Sequence, residues 1–387
     1  MKIFIIAGEA SGDKLGAALM QGMKALLPEA DISFRGIGGE RMEAEGLQSL
    51  FPMDEISIMG IGEILKEYRA LKRRIRETAE DVVATRPDVL ITIDLPEFSL
   101  RVARLVKAAS DIRTVHYVAP TVWGWRPGRA AKMAAHVDQV LALLPFEPPY
   151  MEAAGMRCDF VGHPVVTDLQ ATDAEAQAFR AAHGITGPLA LVLPGSRRGE
   201  VGRLAPIFGE VVQRLANQRP DLQFVLPAAP AVHGMVQELT ATWARKPLIL
   251  PPGTDHAAEK RAAFRAADVA IAASGTVSLE LAAAGTPMVI AYDMSWLSRQ
   301  IIGRMLRVDT VTLVNLVSET RAVPEYIGDN CRPDAIATAV LKTLDAPEAQ
   351  TEAMRLTMER LGLGGPHPGE RAARAVLDGI AAVSPRQ

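Results

Sequence analysis

Short apolar runs alternate along this chain with stretches of helical periodicity, and that alternation constrains the fold more than any other feature. A run of four or five residues without polar residues at alternate positions reads as a strand buried on both faces. Such strands belong to parallel sheets, because the crossover between parallel strands lays a helix on one face or the other. The runs Ile3–Ala7, Ile32–Gly36, Val89–Ile93, Thr114–Val118 and Val140–Leu144 fill the first half, with a short run at Phe160–Val161 that ends in Gly162-His163-Pro164. The pattern restarts at Leu189–Leu193 and continues through Gln223–Leu226, Leu248–Leu250, Val269–Ala273 and Met288–Ala291. The chain therefore predicts an α/β protein built as two doubly wound, Rossmann-like units in series, and 387 residues suffice for two domains. The joint is expected between Pro164 and Gly187, which puts a first domain at 1–165 and a second at 188–345. The remaining segment, 346–387, reads as helical and packs back either on the first domain or on a partner subunit.

Composition excludes several classes of function. The formal net charge of −3 gives no basic field, so nucleic acid is not expected among the partners. Cys158 and Cys331 lack metal-ligand spacing and read as free thiols in a reducing compartment. The histidines form no ligand spacing either, so no metal site and no cofactor is expected. The first strand begins at Lys2, which leaves no room for a signal peptide. No apolar run approaches the roughly 18 residues needed to cross a bilayer. A cytoplasmic location follows, with any membrane contact made from the surface.

In open parallel sheets ligands collect at the carboxyl ends of the strands. That rule selects four segments here: Gly8–Asp13, Asp94–Glu97, Pro194–Arg197 and Ser274–Glu280. In the first, Gly8, Ser11 and Gly12 open a helix whose free N–H groups suit an anion. A tight turn capped by Ser11 or Asp13 is an equal reading. The glycines at 8, 12 and 16 do not make the dinucleotide fingerprint. Asp94 ends an apolar run, and Pro96 stops the strand from continuing. A carboxylate in that place can take a proton from an incoming hydroxyl, although a helix cap or an arginine partner would use it as well. Glu9, also at a strand end, is the second candidate base.

The second half repeats the logic. Gly195 permits close backbone approach, Ser196 offers a hydroxyl and Arg197 a planar fork for phosphate oxygens. Arg198 reads as solvated, and Glu200 as a first-turn acid that favours the helix dipole. Ser274, Gly275 and Thr276 form a small-residue turn before a helix carrying Glu280, an arrangement that can hold a diphosphate on N–H groups and a ribose on the carboxylate.

Two further segments stand apart. Between Met59 and Ala79, Ile61, Ile64, Leu65, Tyr68, Leu71 and Ile75 share one helical face, while Lys66, Arg69, Lys72, Arg73, Arg74 and Arg76 crowd the rest. Basic amphipathic helices bind anionic membrane surfaces, and a core helix with a solvated face has the same pattern. Trp123 and Trp125 follow the Thr114–Val118 run, with Arg126, Arg129 and Lys132 after them. The indoles either pack or stack on a sugar while the cations hold an acceptor phosphate.

These segments, taken in order, resemble the lipid-A-disaccharide synthase family along nearly the whole chain. The matching residues are Ala7-Gly8-Glu9-Ala10-Ser11-Gly12-Asp13, Met59-Gly60-Ile61, Ile93-Asp94-Leu95-Pro96, His116-Tyr117-Val118 and Trp123-Gly124-Trp125-Arg126. They continue with Leu144-Pro145-Phe146-Glu147, Phe160-Val161-Gly162-His163-Pro164, Leu193-Pro194-Gly195-Ser196-Arg197, Ala273-Ser274-Gly275-Thr276 and Asn315-Leu316. The resemblance implies a GT-B glycosyltransferase with no obligatory metal, whose two domains face a central cleft. It implies transfer from UDP-2,3-diacylglucosamine to 2,3-diacylglucosamine 1-phosphate, with UDP released and a β-1,6 link formed. It also implies an acceptor-binding N-terminal half and a UDP-binding C-terminal half; the basic amphipathic helix adds the expectation of peripheral attachment to the inner face of the cytoplasmic membrane. A homodimer stays open.

By motif match, Asp94 is the general base of a single inverting displacement, Arg197 contacts the diphosphate, and Glu280 and Asn315 lie on the donor side. The pattern is departed from at Ala119, where serine is more usual, and at Gly328, where glutamine would follow Pro324-Glu325. Two rivals remain at this level: a UDP-sugar 2-epimerase, which shares the two-domain plan, and a non-catalytic nucleotide-sugar binder, which has no use for Asp94.

Overall fold

The computed structural model describes residues 1–57, 64–124, 128–253, 255–294 and 308–383. They divide into two compact units, Met1–Thr167 together with Gly364–Gln387, and Asp168–Leu363.

In the first unit the apolar runs form strands β1 (Lys2–Ala7), β2 (Ser33–Ile37), β3 (Leu47–Ser49), β4 (Val89–Ile93), β5 (Arg113–Tyr117), β6 (Gln139–Ala142) and β7 (Arg157–Phe160). They pair in parallel, in the order β3-β2-β1-β4-β5-β6-β7. Both faces of this sheet are covered. Ile3, Ile5 and Ala7 of β1 pack with Leu15, Leu19 and Met23 of the helix Ala10–Leu26. Phe4 and Ile6 turn the other way, onto Phe98 and Val102 of the helix Pro96–Ala109 and onto Ile75 and Val82 of the helix Ile64–Thr85. Burying a side chain of this size is worth about 1.5–3 kcal/mol.

The second unit contains β8 (Leu189–Leu193), β9 (Gln223–Pro227), β10 (Leu248–Leu250), β11 (Val269–Ala273), β12 (Met288–Tyr292) and β13 (Glu325–Ile327). These are again parallel, in the order β10-β9-β8-β11-β12-β13. Phe208, Val211 and Leu215 of the helix Arg198–Gln218 meet Ile336 and Val340 of the helix Pro333–Asp345 in its core. In each unit the strand order reverses beside the first strand, at β1/β4 and at β8/β11. These are the topological switch points at which doubly wound sheets open a crevice.

The chain changes units at Thr167/Asp168, and the expected tail segment 346–387 is divided. The helix Glu348–Arg360 stays with the second unit: the Met288 N–H donates to Gln350 Oε1 (2.8 Å), and Arg360 Nη1 donates to the Val317 carbonyl (2.7 Å). The last helix, Pro368–Val383, returns to the first unit and lies against Ala10–Leu26. Ala372, Ala373 and Val376 enter the core around β1, Gln139 Nε2 donates to the Ala375 carbonyl (2.9 Å), and Arg371 Nη2 donates to the Phe160 carbonyl (2.8 Å).

Glycines set the distance between these two helices. A Cβ on Gly22 would lie 2.6 Å from the Gly369 carbonyl oxygen and 2.9 Å from Glu370 Cα, and one on Gly369 would lie 2.4 Å from the Ala18 carbonyl oxygen. These are backbone atoms that cannot rotate away. Gly22→Ala should therefore lower the melting temperature, by the roughly 1–3 kcal/mol of an overpacked contact, even though alanine is the better helix former. Gly234→Ala, at a helical position with open space around it, should be neutral or stabilising in the same thermal melts. Equal behaviour of the two variants would show that the last helix is not seated closely.

Candidate active site

Register brings the sequence-selected segments together in pairs at the two switch points. Ala7 pairs with Ile93, so Gly8 and Asp94 come next on neighbouring strands. Ala272 pairs with Leu193, so the Gly195 and Ser274 turns are neighbours in the same way.

At the first switch point the backbone of Asp94 and Leu95 is left-handed, with φ of 48° and 46°. The Asp94 N–H donates to the Tyr117 carbonyl (3.0 Å), and Pro96 starts the next helix. Two successive non-glycine residues in this conformation end the strand sharply and leave the Asp94 side chain half-buried at the sheet edge. Leu95 folds over β1: a Cβ on Gly8 would lie 2.3 Å from Leu95 Cδ2. Gly12 is seated against Ala7 and Ile93, and Gly16 against Met42 and Ile93. The glycines read as a phosphate loop thus let the helix approach the sheet, and Gly8 and Gly12 are buried.

Ser11 is exposed, and Glu9 is the exposed N-cap of Ala10–Leu26, which has no side-chain cap. Asp13 does not cap this helix either. Its carboxylate is buried and accepts the N–H groups of Gly39, Arg41 and Met42 (2.8, 3.1 and 3.1 Å), which fastens the start of the helix Glu40–Ala44.

Beside Asp94, at the ends of β5 and β6, the edge is apolar and sealed. Val118 has φ 82°, rare for a β-branched residue, and its N–H donates to the Leu141 carbonyl (3.0 Å). His116 is buried against Thr92 Oγ1 (2.7 Å), and burial lowers its pKa to about 4. Trp123 is also buried, edge-on to Phe146 at 5.2 Å. Its ring packs instead of presenting a face to a sugar. Arg129 is half-buried in the helix Gly128–Ala134, and Trp125 and Arg126 lie outside the described residues.

Glu147 had no role assigned from sequence, yet it is the most perturbed carboxyl on this edge. It is 4% exposed, accepts the Leu144 N–H (3.0 Å), and is pushed up to about 7 by burial, against the pull of the Leu144 and Leu143 N–H groups and of Trp123. Its setting in Leu144-Pro145-Phe146-Glu147-Pro148, among apolar and proline residues, was the available signal.

At the second switch point Gly195 has φ 112° and Gly275 φ 149°. Ser196 and Arg197 are exposed before the helix Arg198–Gln218, and the Arg197 side chain is 85% accessible. Thr276 starts the helix Val277–Ala284 without a side-chain cap, and Gly275 and Thr276 are exposed beside half-buried Ser274. Glu280 Oε2 accepts from Lys260 Nζ (2.6 Å). Lys260 lies on the separate helix His256–Ala266 and gave no local signal.

Asn315 is not placed as a ligand contact. It is 1% exposed, its Nδ2 donates to Thr310 Oγ1 (3.2 Å) and the Val323 carbonyl (2.9 Å), and its Oδ1 accepts the Val323 N–H (3.0 Å). In this position it braces a turn, alongside Glu325, which accepts the Val311 and Thr312 N–H groups (2.9 and 2.6 Å).

The basic helix is described from Ile64 onward; Ile61 lies outside the described residues. On its apolar face Ile75 is buried in the first unit's core, and half-buried Leu71 packs against that core. Arg74 also faces inward, over the Phe51 ring at 4.2 Å and bonded to Glu55 (Nε–Oε2 2.8 Å). Arg69, Lys72, Arg73 and Arg76 stay on the surface and line a groove of about 390 Å³ with Glu77 and Glu80.

The family model for lipid-A-disaccharide synthetase matches residues 3–376. This chain belongs to that family. A lipid-A-disaccharide synthase of Ruegeria pomeroyi is 61% identical over 98% of this chain and 95% of its own. One from Rhodospirillum centenum is 45% identical over 98% and 94%. Membership makes the chain a glycosyltransferase. Among solved structures, a UDP-GlcNAc 2-epimerase from Neisseria meningitidis aligns with TM-score 0.64 at 15% identity, covering 99% of this chain and 100% of its own. MurG of Acinetobacter baumannii aligns at 0.53 and 15%, covering 99% of each. These likenesses show the GT-B type of fold, while the family is set by the sequence relatives.

For this family member, Glu147 makes stability depend on pH. Below about 4.5, its ordinary value, the carboxyl is neutral whether folded or unfolded. Between about 4.5 and about 7 the folded state keeps a proton that the unfolded state releases, so stability falls as pH rises, and the loss is complete above that range. Glu147→Gln cannot titrate. Its melting temperature relative to the parent should rise between pH 4.5 and 8, and an offset that does not change with pH would refute the assignment.

Proposed function

We propose that this chain transfers a diacylglucosamine unit from UDP-2,3-diacylglucosamine to 2,3-diacylglucosamine 1-phosphate, forming the β-1,6-linked lipid A disaccharide and releasing UDP. The observation that carries this reading is the 61% identity with a lipid-A-disaccharide synthase across 98% of the chain. The epimerase alternative rests on fold alone, at 15% identity.

Asp94 takes the proton of the acceptor 6-hydroxyl as that oxygen attacks the anomeric carbon. Its support is its place at the β1/β4 switch point, where the left-handed backbone holds the carboxylate at the edge. Glu9 is the second candidate, exposed and one residue past Gly8. UDP leaves with negative charge developing on its phosphate, which the N–H groups after Gly195 and Gly275 and the exposed Arg197 guanidinium stabilise. Glu280, steadied by Lys260, serves the ribose hydroxyls. Mass spectrometry of the products from the two lipid substrates tests the reaction. Asp94→Asn should lower turnover by at least about a hundredfold and leave UDP affinity near the parent value. Parental turnover in that variant would make Asp94 structural and Glu9 the residue to replace.

Membrane attachment at the cytoplasmic face belongs to the same proposal. Among the described residues no helix is long and apolar enough to cross a bilayer. Contact is assigned to the surface cations of the Ile64–Thr85 helix; the side chains of Ile64, Leu65 and Tyr68, expected from sequence to be their apolar partners, lie outside the described residues. Each cation near an anionic surface contributes about 1 kcal/mol. Replacing Lys72, Arg73 and Arg76 together by glutamine should weaken binding to anionic vesicles by about tenfold or more and raise the apparent KM for the lipid acceptor, with little change in melting temperature. Unaltered vesicle binding would remove this helix from the membrane contact.

A further inference from the structure

The turn after β8 already holds an anion, and that anion is part of the chain. Ser196 and Arg197 each donate a backbone N–H to Glu200 Oε2 (3.4 Å), and Arg197 Nη1 donates to Glu200 Oε1 (3.2 Å). The carboxylate lies over Gly195: a Cβ there would be 2.7 Å from Glu200 Oε2 and 2.8 Å from Glu200 Cβ. The Glu200 side chain is 18% exposed and is drawn back onto the turn, while the guanidinium beside it is 85% exposed. Close approach over a glycine, two N–H groups and an arginine fork are the donors that the reading above gives to the nucleotide's phosphate.

We propose that Glu200 is a built-in competitor for that phosphate: its carboxylate occupies the donors when the nucleotide is absent and has to leave them when the nucleotide binds. This inference rests on the donor-site assignment and goes beyond it by naming a residue that weakens nucleotide affinity. Two consequences follow from the chemistry. Bonds of 3.4 Å are long, so the carboxylate is held loosely enough to be displaced. Once displaced it remains one helical turn away, where its negative charge opposes the bound diphosphate. Affinity is thereby held down, and release of UDP after transfer is eased.

A plain helix-capping role is the alternative to be separated. Glutamate at the third helical position, bonded back to the N-cap N–H, is a common capping arrangement, and glutamine fills it equally well. The bond from Ser196, a residue before the N-cap, lies outside that arrangement. Glu200→Gln therefore keeps the cap and removes the charge.

The test is calorimetric titration of the full chain and of Glu200→Gln with UDP, inorganic pyrophosphate and uridine, with Glu200→Ala as a second variant. The proposal expects UDP and pyrophosphate to bind about three- to tenfold more tightly to both variants, and uridine to bind as it does to the parent. If the parent binds UDP and the variants bind it equally or more weakly, Glu200 is a cap or a ligand and the proposal falls while the donor site stands. Tighter binding of uridine as well would place the effect away from the phosphate and also overturn it. A parent that binds neither UDP nor pyrophosphate would remove the donor site, and this inference with it.

Discussion

Burial of both faces of each sheet is the constraint on which the rest of this structure depends. Strands such as β1 and β8 have no solvent face on which to carry a reactive group, so polar chemistry is displaced to the turns that follow them. The strand order then decides which turns matter. At β1/β4 and β8/β11 the connections depart in opposite directions, which leaves the turns after Ala7 and Ile93 side by side in the first unit and those after Leu193 and Ala273 side by side in the second. Every proposed chemical role of Asp94, Arg197 and Glu280 inherits its position from that arrangement.

The two edges are built by different means. In the first unit, left-handed backbone at Asp94, Leu95 and Val118 concentrates strain at the ends of β4 and β5. Such residues cost of order 1–3 kcal/mol each and persist where surrounding packing over-determines them. Here Leu95 is locked over Gly8, and the Asp94 and Val118 N–H groups are fixed to neighbouring strands. In the second unit glycines take the positive φ angles at 195 and 275, so an acceptor can come close to the backbone N–H groups, as the Glu200 carboxylate does at Gly195. A side chain that must hold a proton acceptor still is served by the first design. A diphosphate that contacts the backbone itself is served by the second.

Much of this was legible in the sequence because an apolar run with no polar alternation has few places to go. Strands β1, β4, β8 and β11 and the turns after them follow from that pattern. The edge strands β3 and β13 did not, since Leu47–Ser49 and Glu325–Ile327 are three residues long, carry polar side chains and present no periodicity. Gly8 and Gly12 were open to a phosphate-loop reading because small residues serve close approach of any partner, and here the partners are Leu95 for Gly8 and Ala7 and Ile93 for Gly12. The amphipathic helix was ambiguous for the same reason: an apolar face at Leu71 and Ile75 suits a core as well as a bilayer. The pairing of Lys260 with Glu280 joins two separate helices, which no local pattern encodes, while the burial of Glu147 and the bracing role of Asn315 depend on how their turns pack and not on residue type alone.

The return of the last helix to the first unit bears on how the chain folds during synthesis. Asp168–Leu363 is continuous and contains its own sheet and core, so it can close as soon as it is complete. The first unit emerges earlier but lacks Ala372, Ala373 and Val376 from its core until some two hundred residues more have been made; the bond from Gln139 to Ala375 spans 236 positions. Until then the face of Ala10–Leu26 around Ala18 and Gly22 is uncovered, and such transient surface is where multidomain chains aggregate or exchange segments. The first unit to begin is thus the last to finish, and its edge carrying Asp94 is completed after the turns that follow β8 and β11 are in place.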